Sequence, residues 1–437
     1  MKASKYNFFL PAVDEKWLIF NALSKATLMV DKEAKALLEN EELDNLDSKT
    51  LQLLERNGII VDSEFDERKK FKYLYEKEKF KKRPLGFSLT LTYKCNLSCS
   101  YCYQGRGELR TDSMNEETMN SAIKFIKKTV EQLNADEILL HFYGGEPLLE
   151  VKKIFKFLKE LRPYIGTAMI DSNGVLFTKE IASRLGIYPT LFETTLAGPK
   201  DLHNERRPSK SGEGTYEKII NGIQNALSES MKVHLRIDID EEIYNRVDEL
   251  LDDLSERGIQ KKQMVVSFNR IEPMLKGSDY PTSLLTEKPV NSLYELAIEK
   301  GFPVQQGGYP GYLACYEQSA NWFSIDPGGF FYPCEGFFGF EEQKTGKIGK
   351  NGDILEHYPP YYDWHLRDPL SIEECRDCKI LPLCGGGCPF KAYLKYGDYN
   401  RPDCPWYAQT PKSYIAQYLI SKNYDKFNNL IDRSKLE

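Results

Sequence analysis

Several features that mark other classes of protein are missing from this chain of 437 residues. It has no run of ~18 apolar residues that could cross a bilayer, and residues 1–11 lack the basic segment and apolar core of a signal peptide. Its net charge of −6 provides no positive excess for gripping a phosphate backbone. Proline, glycine and serine form no tracts, and 41% of the residues are hydrophobic, which excludes a disordered chain. We therefore expect a globular, cytoplasmic protein with neither nucleic acid nor a membrane as a partner.

Cysteine is absent from most of the sequence. None occurs before residue 95, from 103 to 314 or after 404, whereas three lie between Cys95 and Cys102 and seven between Cys315 and Cys404. Disulfides are rare in the reducing cytoplasm, so cysteines grouped in this way indicate metal ligation. The length corresponds to two or three domains, and we expect two separate metal-bearing regions.

The first 65 residues predict a small winged-helix-like α+β domain. Strand-like runs at residues 6–10, 17–21 and 26–30 precede helical patterns at residues 32–38 and 48–57. The excess of acidic residues in this domain opposes DNA binding and favours peptide docking. Residues 66–84, which are rich in lysine, indicate a charged linker or a solvated helix.

Strands and helices alternate from residue 85 to residue 300. The six strand-like runs lie at residues 87–93, 137–143, 168–173, 191–196, 233–239 and 264–268. Six β–α units predict the α/β class with a parallel sheet, here a partial (β/α)6 TIM-like barrel. One face of the runs is polar, with residues such as Ser88, His141, Asp171 and Glu193. A complete barrel is filled with apolar side chains, so we expect an incomplete barrel whose lumen holds a polar cofactor and a substrate. A solvent-exposed sheet face is the alternative.

The first cysteines form the run Cys95-x3-Cys99-x2-Cys102, directly after the first predicted strand. Three thiolates spaced in this way can surround one iron-sulfur cluster and leave a fourth iron without a protein ligand, where a substrate can bind. A zinc knuckle is the alternative, but it needs a fourth cysteine or histidine nearby. The nearest histidine, His141, lies 39 residues away on another predicted strand.

This cysteine run resembles the signature of the radical S-adenosylmethionine (SAM) enzymes, in which an aromatic residue, here Tyr101, precedes the last cysteine. One strand later, Gly144-Gly145-Glu146-Pro147 resembles the element that holds the amino group of SAM in this family. The resemblance implies a [4Fe-4S] cluster whose open iron chelates SAM. It also implies that the reduced cluster cleaves SAM to a 5′-deoxyadenosyl radical, which abstracts hydrogen from a substrate.

Further residues are expected near SAM, and these are Ser172, Asn173, Thr195, Lys218 and Arg236. Ser172 and Asn173 resemble part of the TNG segment of the family, and Thr195 begins a stretch that resembles SLDGP. Lys218 lies where relatives often have an arginine near the SAM carboxylate. Ala197 and Asn204 depart from the pattern because each stands where the family has an aspartate.

The seven C-terminal cysteines resemble the SPASM extension, the auxiliary-cluster region of radical SAM enzymes that modify peptides and proteins. By that pattern the distal auxiliary cluster would be held by Cys375, Cys378, Cys384 and Cys404, and the proximal one by Cys315, Cys334 and Cys388. Two fully cysteine-ligated clusters need one thiolate more, so we expect the proximal cluster to take another protein ligand, a small molecule or a substrate thiolate. A double zinc ribbon is the alternative. Residues 301–410 form this predicted C-terminal Cys-rich auxiliary-cluster domain, and residues 411–437 a capping helix.

Residues 1–65 resemble the peptide-recognition element of maturases for ribosomally made, post-translationally modified peptides, which captures a leader peptide as an added strand. Glu335 stands in the place of an acidic residue that acts as a base in sulfatase-maturing relatives. The resemblance thus implies three [4Fe-4S] clusters, SAM, a precursor peptide with a leader sequence, and a reductant such as flavodoxin or ferredoxin.

The leading hypothesis is a peptide maturase that oxidatively joins a Cys sulfur to a carbon of its precursor peptide, forming a thioether. Alternative products within the same class are a carbon–carbon crosslink or an epimerised residue. An anaerobic sulfatase-maturing enzyme, which generates formylglycine, is a second enzymatic hypothesis. A zinc-binding peptide adaptor is the non-enzymatic one.

Overall fold

A computed structural model of the chain describes residues 1–81, 85–107, 110–259, 263–271, 288, 290–305, 314–405 and 408–436. The chain divides into two compact units. The first comprises Met1–Lys81, Gly308–Ser319 and Arg367–Glu437, and the second comprises Lys82–Gly307 and Ala320–Leu366. The domain limits given above remain a sequence-based prediction.

The N-terminal part of the first unit contains the three-stranded sheet and the helix pair that the sequence predicts. Its strands are β1 (Lys2–Ala3), β2 (Asn7–Pro11), β3 (Trp17–Asn21), β4 (Thr27–Val30) and β5 (Ile60–Val61), and its helices are α1 (Lys32–Glu39), α2 (Ser48–Arg56) and α3 (Glu67–Lys79). The strands β2, β3 and β4 pair as an antiparallel meander, and β1 pairs with β5. The carboxylates of Asp31, Asp47 and Asp66 accept hydrogen bonds from backbone N–H groups at the starts of the three helices, which satisfies donors that a helix leaves open.

The lysine-rich segment that the sequence indicates as a linker or solvated helix is helix α3, and one face of it is buried. Phe71 and Tyr75 are fully buried, and Lys79, one turn further along, is 1% exposed. The Lys79 ammonium donates a hydrogen bond to the backbone carbonyl of Arg367 at 3.1 Å. The spacing of four residues puts these side chains on one helix face, although the many surrounding lysines conceal that face in the composition.

The second unit contains the predicted α/β partial barrel. Its parallel strands follow chain order and are β6 (Leu85–Thr92), β7 (Ile138–Gly144), β8 (Ile165–Asp171), β9 (Thr190–Leu196), β10 (Lys232–Ile239) and β11 (Met264–Arg270). Its helices as far as residue 305 are α4 (Glu116–Gln132), α5 (Val151–Leu161), α6 (Lys179–Leu185), α7 (Lys200–Arg206), α8 (Tyr216–Ser228), α9 (Glu241–Tyr244), α10 (Val247–Glu256) and α11 (Asn291–Glu299). Neighbouring strands are parallel throughout, and among the strands that the structure describes β11 is the last at its end of the sheet, so these strands form a partial barrel.

Four strands that the sequence analysis does not predict extend this sheet beyond β6. The strand β12 (Trp322–Ile325) pairs parallel with β6, and β13 (Phe330–Tyr332), β14 (Gly346–Ile348) and β15 (Ile354–His357) follow in antiparallel order. Runs of three or four residues are too short to show a clear alternation of apolar and polar side chains. Cys334 and Glu335 come just after β13, so the pairing of β12 with β6 determines where Glu335 lies.

The last helices of the chain are α12 (Pro359–His365) in the second unit, and α13 (Glu373–Arg376), α14 (Leu381–Cys384), α15 (Pro389–Tyr396), α16 (Pro411–Lys422) and α17 (Tyr424–Phe427) in the first. Helix α16 lies within the predicted capping segment. Across the described part of the chain, no helix combines the length and the apolar character that crossing a membrane requires.

Apolar side chains cover both faces of the meander β2–β4. Ile19 of β3 packs with Leu38 and Leu54 of α1 and α2 on one face. Phe8 and Phe20 belong to the opposite core, which also includes apolar side chains of α16. The alternation of side chains along a strand explains this division. The end of β2 is hydrogen-bonded to the C-terminal segment, whereas among the described residues no strand pairs with the outer edge of β4.

Gly86 of β6 is a contact point that holds β12 in place. It lies opposite Trp322, and a Cβ atom at this position would come within 2.0 Å of the Trp322 indole. We expect Gly86→Ala to lower the free energy of unfolding by about 1–3 kcal/mol, because overpacking strains a close-packed contact. Urea unfolding measures this loss. The second change Trp322→Leu makes room for the methyl group, so the double variant should recover part of the loss, and equal losses in single and double variants would contradict the prediction.

Candidate active site

The polar face of the parallel strands is buried, as expected for a lumen rather than for a solvent-exposed sheet face. Ser88, Thr90, His141, Asp238 and Ser267 are each at most 7% exposed. Burying polar or charged groups is costly unless they find partners. The partners that they find show which side chains the fold brings together.

Arg236 of β10 lies among three carboxylates. Its guanidinium is 3.2 Å from Glu193, 3.6 Å from Asp171 and 3.9 Å from Asp238. Burial raises the pKa of Asp171, and the negative charge of Glu193 adds to this effect. Burial opposes ionisation of Glu193 too, but the hydrogen bond with His234 and the charge of Arg236 hold the pKa of Glu193 below its usual value. Asp171 is therefore the carboxyl of this pair that takes up a proton first.

Glu335 joins β6 and β7 through its carboxylate. Ser88 donates a hydrogen bond to Glu335 Oε1 at 2.5 Å, and His141 Nδ1 contacts the same oxygen. Burial lowers the pKa of His141, but the Glu335 carboxylate outweighs burial and raises this pKa to about 9. The His141 side chain is thus an imidazolium at neutral pH. Among the described residues, the buried atoms His141 Nε2 and Thr90 Oγ1 have no hydrogen-bond partner, which fits a site built to hold a polar molecule.

The loop after β6 places Cys95, Cys99 and Cys102 next to one another. Partial burial raises the pKa of Cys95 to about 12, and the charges of the other two thiols act in the same direction. The loop is held to the segment after α7 by hydrogen bonds from the Ser98 and Ser100 backbone N–H groups to the carbonyls of Pro208 and Arg206, both 2.9 Å long. Three neighbouring thiols can ionise together only when a cation compensates their charge.

The number of these thiols fits an iron-sulfur cluster better than a structural zinc ion. A structural zinc site is closed by four protein ligands, and the loop provides three cysteines. A cubane cluster distributes three cysteines over separate irons. The donor set of Cys95, Cys99 and Cys102 therefore suits the SAM-binding cluster that the sequence resemblance implies.

Tyr101 connects the cysteine loop to strand β10 of the sheet. Its hydroxyl donates to Asp238 Oδ2 at 3.0 Å and accepts a hydrogen bond from Arg207 at 3.2 Å. Arg207 is 8% exposed, and its positive charge opposes the effect of burial on the pKa of Cys99. The sequence analysis assigns no role to Arg207, because spacing alone does not show which loop an arginine will reach.

Gly144 and Gly145 bring the end of β7 against the end of β6. Gly144 has a φ of +133°, and a Cβ there would lie 2.4 Å from the Thr92 carbonyl. A Cβ on Gly145 would lie 2.3 Å from the Lys94 carbonyl. Glycine is therefore required at both positions, which lie beside the first residues of the cysteine loop.

Glu146, which is predicted to lie near SAM, joins two loops through a buried carboxylate. The residue is fully buried, and its two carboxylate oxygens accept hydrogen bonds from Leu148 N at 2.9 Å, Ser172 Oγ at 2.8 Å and Asn173 N at 2.8 Å. Burial raises its pKa to about 7. The side chain thus holds the loops after β7 and β8 against each other, and its contact with SAM stays a prediction.

Asn173 connects these two loops to the cysteine loop. Its amide nitrogen lies 3.7 Å from Cys95 Sγ and donates to Asn96 Oδ1 at 2.7 Å. Thr195 lies on β9 directly opposite Arg236 and is 6% exposed. Of the residues predicted near SAM, Tyr101, Ser172 and Asn173 therefore border the cysteine loop, and Thr195 and Arg236 lie on the strands.

Lys218 does not join this group. Its side chain is 51% exposed on α8 and pairs with Glu213 at 3.1 Å, so the SAM contact expected of it has no support in the geometry. Asn204, which replaces an aspartate of the family pattern, accepts hydrogen bonds from the backbone N–H groups of Thr215 and Tyr216 at 2.9 and 3.0 Å. An amide oxygen serves this purpose as well as a carboxylate does, which accounts for the replacement.

The first unit contains six of the C-terminal cysteines. Burial raises the pKa of Cys384 to about 12, and the charges of Cys378, Cys375 and Cys404 add to it, so these four thiols lie together. Desolvation by the surrounding protein raises the pKa of the Cys315 thiol, and the charges of Glu317 and Cys388 raise it further. The first group consists of the four cysteines that the sequence resemblance assigns to the distal cluster, and Cys315 lies near Cys388. Cys334 belongs to the second unit.

Residues 89–258 match the sequence model of the Radical SAM superfamily. The radical SAM cyclopropyl synthase TigE of Paramaledivibacter caminithermalis is 21% identical over 97% of this chain and 92% of TigE. The serine-type anaerobic sulfatase-maturating enzyme of Bacteroides thetaiotaomicron is 22% identical over 70% of this chain and 82% of that enzyme. The fold also resembles that of the crystal structure of Streptococcus suis SuiB bound to the precursor peptide SuiA, with a TM-score of 0.55 at 15% identity. The aligned region covers 93% of this chain and 99% of SuiB. The last comparison shows a shared fold along most of the chain.

The ion pair of His141 and Glu335 predicts a pH dependence of stability. Folding raises the pKa of His141 from 6.5 to about 9. The protonated His141 therefore contributes about 3 kcal/mol to the free energy of unfolding below pH ~6.5, and this contribution is lost as the pH rises to ~9. Anaerobic urea unfolding at several pH values measures it. The loss should be absent from His141→Gln and from Glu335→Gln, and the same pH dependence in all three proteins would contradict the assignment.

Proposed function

Because residues 89–258 form a radical SAM domain and the chain belongs to the radical SAM superfamily of enzymes, we propose that it is a peptide maturase. It oxidatively modifies a ribosomally synthesised precursor peptide by joining a Cys sulfur to a carbon as a thioether. The observation that carries this proposal is the presence, in one chain, of the cysteine-loop site and a small sheet with an open edge. SuiB, whose fold matches 93% of this chain, was solved with a precursor peptide.

The donor sets support three [4Fe-4S] clusters. We assign the SAM-binding cluster to Cys95, Cys99 and Cys102, and the distal auxiliary cluster to Cys375, Cys378, Cys384 and Cys404. Cys315, Cys334 and Cys388 remain the predicted ligands of the proximal auxiliary cluster. When bound, SAM and the clusters supply a 5′-deoxyadenosyl radical that takes a hydrogen atom from the substrate, and an acceptor for a second electron.

The residues of the second unit would bind and orient these groups. The backbone at Gly144 and Gly145 lies against the cysteine loop, and Arg207 places a cation beside it. Arg236 and its neighbouring carboxylates line the polar face of the sheet. Their ion pairs already hold these charges in place, so they need not rearrange when a polar molecule binds. The unpartnered His141 Nε2 points to a further contact with that molecule.

Glu335 is the proposed base. Ser88 and His141 hold its carboxylate in one orientation, and a carboxylate so placed can accept the proton of a substrate thiol. Thioether formation breaks one S–H and one C–H bond and makes one S–C bond. The peptide therefore loses two hydrogens, one as a hydrogen atom and one as a proton to Glu335, and the electron that remains would pass to an auxiliary cluster.

The meander of the first unit is the proposed site for the leader peptide. Strand β4 pairs with β3 on one side, and in the described residues no strand pairs with its other side. The hydrogen bond from Asn21 N to Ala26 O sets the register, so the backbone groups of Thr27 and Met29 face away from β3. A cavity of about 350 Å³ near this edge is lined by residues that include Ala26, Arg56 and Phe65. An added strand uses such an edge through backbone hydrogen bonds.

Peptide mass before and after thiol alkylation tests the proposed reaction. The anaerobically reconstituted enzyme is incubated with SAM, a reductant and a Cys-containing precursor peptide encoded beside it. A loss of two hydrogens together with a thiol that no longer alkylates supports a thioether. The same mass loss with every thiol reactive indicates a carbon–carbon bond, and conversion of a Cys or Ser to an aldehyde indicates a sulfatase-maturing activity.

A matched pair of variants isolates the base in that experiment. Glu335→Gln should slow peptide modification by about 10²–10⁴-fold while 5′-deoxyadenosine still forms, because only the proton acceptor is lost. The control is Glu356→Gln, at an exposed position of β15. Equal product formation by the two variants would remove Glu335 from the mechanism.

A proline on the outer edge of β4 tests the proposed binding site for the leader peptide. Met29→Pro removes an N–H that faces away from β3, so the leader peptide should bind at least tenfold more weakly by fluorescence anisotropy, and circular dichroism should show an intact fold. Met29→Ala keeps the N–H and is the control. Unchanged leader affinity in a folded Met29→Pro protein would place the leader elsewhere.

A further inference from the structure

Two basic side chains, the buried Arg367 and the half-buried Lys25, lie beside the segments that carry Cys375, Cys378, Cys384 and Cys404. Arg367 is 1% exposed, and its guanidinium donates to the carbonyls of Gly385, Gly386 and Tyr399 at 3.0, 2.8 and 2.8 Å. It therefore grips the turn that follows Cys384. Its positive charge lowers the pKa of Cys375 against the effect of burial, which shows that this thiol is near.

The second basic side chain, Lys25, comes from the turn between β3 and β4. Desolvation lowers the pKa of Lys25 to about 7, and the negative charge of Cys384 opposes this effect. Its ammonium donates to the carbonyl of Pro382, two residues before Cys384, at 2.9 Å. Lys25 has a φ of +63°, and the turn is fixed because Asn21 Oδ1 accepts from the N–H groups of Leu23 and Ser24 at 2.9 and 2.7 Å. The turn geometry thus directs a lysine of the meander to the cysteine group.

Both cations are paired with carbonyls and not with carboxylates. Among the residues that the structure describes, no Asp or Glu oxygen lies within the 4.0 Å of an ion pair from Lys25 or Arg367. Carbonyl dipoles compensate a buried positive charge only in part. A cluster held by four thiolates is an anion and gains another negative charge on reduction, so it would supply the missing countercharge.

We propose that Lys25 is a counter-cation of the distal auxiliary cluster and raises its reduction potential, so that a residue of the leader-binding meander tunes the electron acceptor. The proposal rests on the cluster assignment in the proposed function. A nearby positive charge stabilises the reduced, more negative form of a cluster and so favours its reduction. Arg367 acts in the same direction but also holds the backbone, which makes Lys25 the cleaner position to test.

The ordinary explanation is that Lys25 merely ends helix α14 by binding one of its carbonyls. Lysine often binds the last carbonyls of a helix, and such a contact affects stability without affecting a redox potential. The two explanations therefore differ in a quantity that does not depend on turnover.

The experiment is an anaerobic redox titration followed by electron paramagnetic resonance. It compares the wild-type chain with Lys25→Met, which keeps most of the aliphatic stem, Lys25→Arg, which keeps the charge, and the control Lys16→Met, at an exposed lysine beyond the other end of β3. The distal signal is the one lost in Cys404→Ala. In Lys25→Met we expect the distal midpoint to fall by the equivalent of a tenfold change in the reduction equilibrium, which is ~59 mV for one electron. Lys25→Arg and Lys16→Met should stay at the wild-type value.

Iron and sulfide content separates the possible failures. A Lys25→Met protein with wild-type content and an unchanged distal midpoint would overturn the inference while leaving the proposed function in place, and so would an equal shift in Lys25→Arg. Loss of the distal iron from Lys25→Met but not from Lys25→Arg would support it. A wild-type chain that binds only about four irons would overturn both the cluster assignment and the inference.

Discussion

The balance of charge around Arg236 is the constraint on which the second unit depends. Three neighbouring strands direct Asp171, Glu193 and Asp238 into the same interior, where carboxylates without a counter-ion would repel each other in a medium of low dielectric constant. The guanidinium of Arg236 lies between these carboxylates and offsets their repulsion, so the three strands can pack side by side. Because Asp238 also accepts the Tyr101 hydroxyl, the same balance extends to the cysteine loop and fixes where a cluster would stand above the sheet.

A second set of contacts holds the ends of the strands together. Glu146 binds the backbone after β8 through its buried carboxylate, and Asn173 then reaches Cys95. A residue of a cofactor motif can therefore serve the cofactor indirectly by setting the loops that touch it. This distinction matters when roles are carried from one family member to another, because a shared motif letter does not specify which atoms face the ligand.

The first unit combines a protected sheet with a cysteine group. Its meander is covered on both faces, so its open edge at β4 remains available for pairing. Unpaired edges are usually a liability for a soluble protein, and a short one is compatible with a dedicated partner strand. Lys25 lies in the turn that leads into this strand and also touches the segment before Cys384, so the meander and the cysteine group pack together within the unit.

The sequence by itself determined the features that arise from local order. Alternating apolar and polar residues marked six parallel strands with a polar face, and the cysteine spacings separated the three thiols of the loop from the C-terminal group. The short strands β12–β15 escaped this reasoning because three or four residues carry too little periodicity. The buried face of α3 escaped it because lysines surround the apolar positions.

Only the tertiary structure decided which polar groups became partners. Glu146 became a brace, Lys218 remained on the surface, and Arg207 reached the cysteine loop. None of these outcomes follows from spacing, because a hydrogen bond or an ion pair depends on the distance between elements far apart in the chain. Periodicity is a local property of the chain, whereas the pairing of buried charges is settled only when the strands and loops pack together.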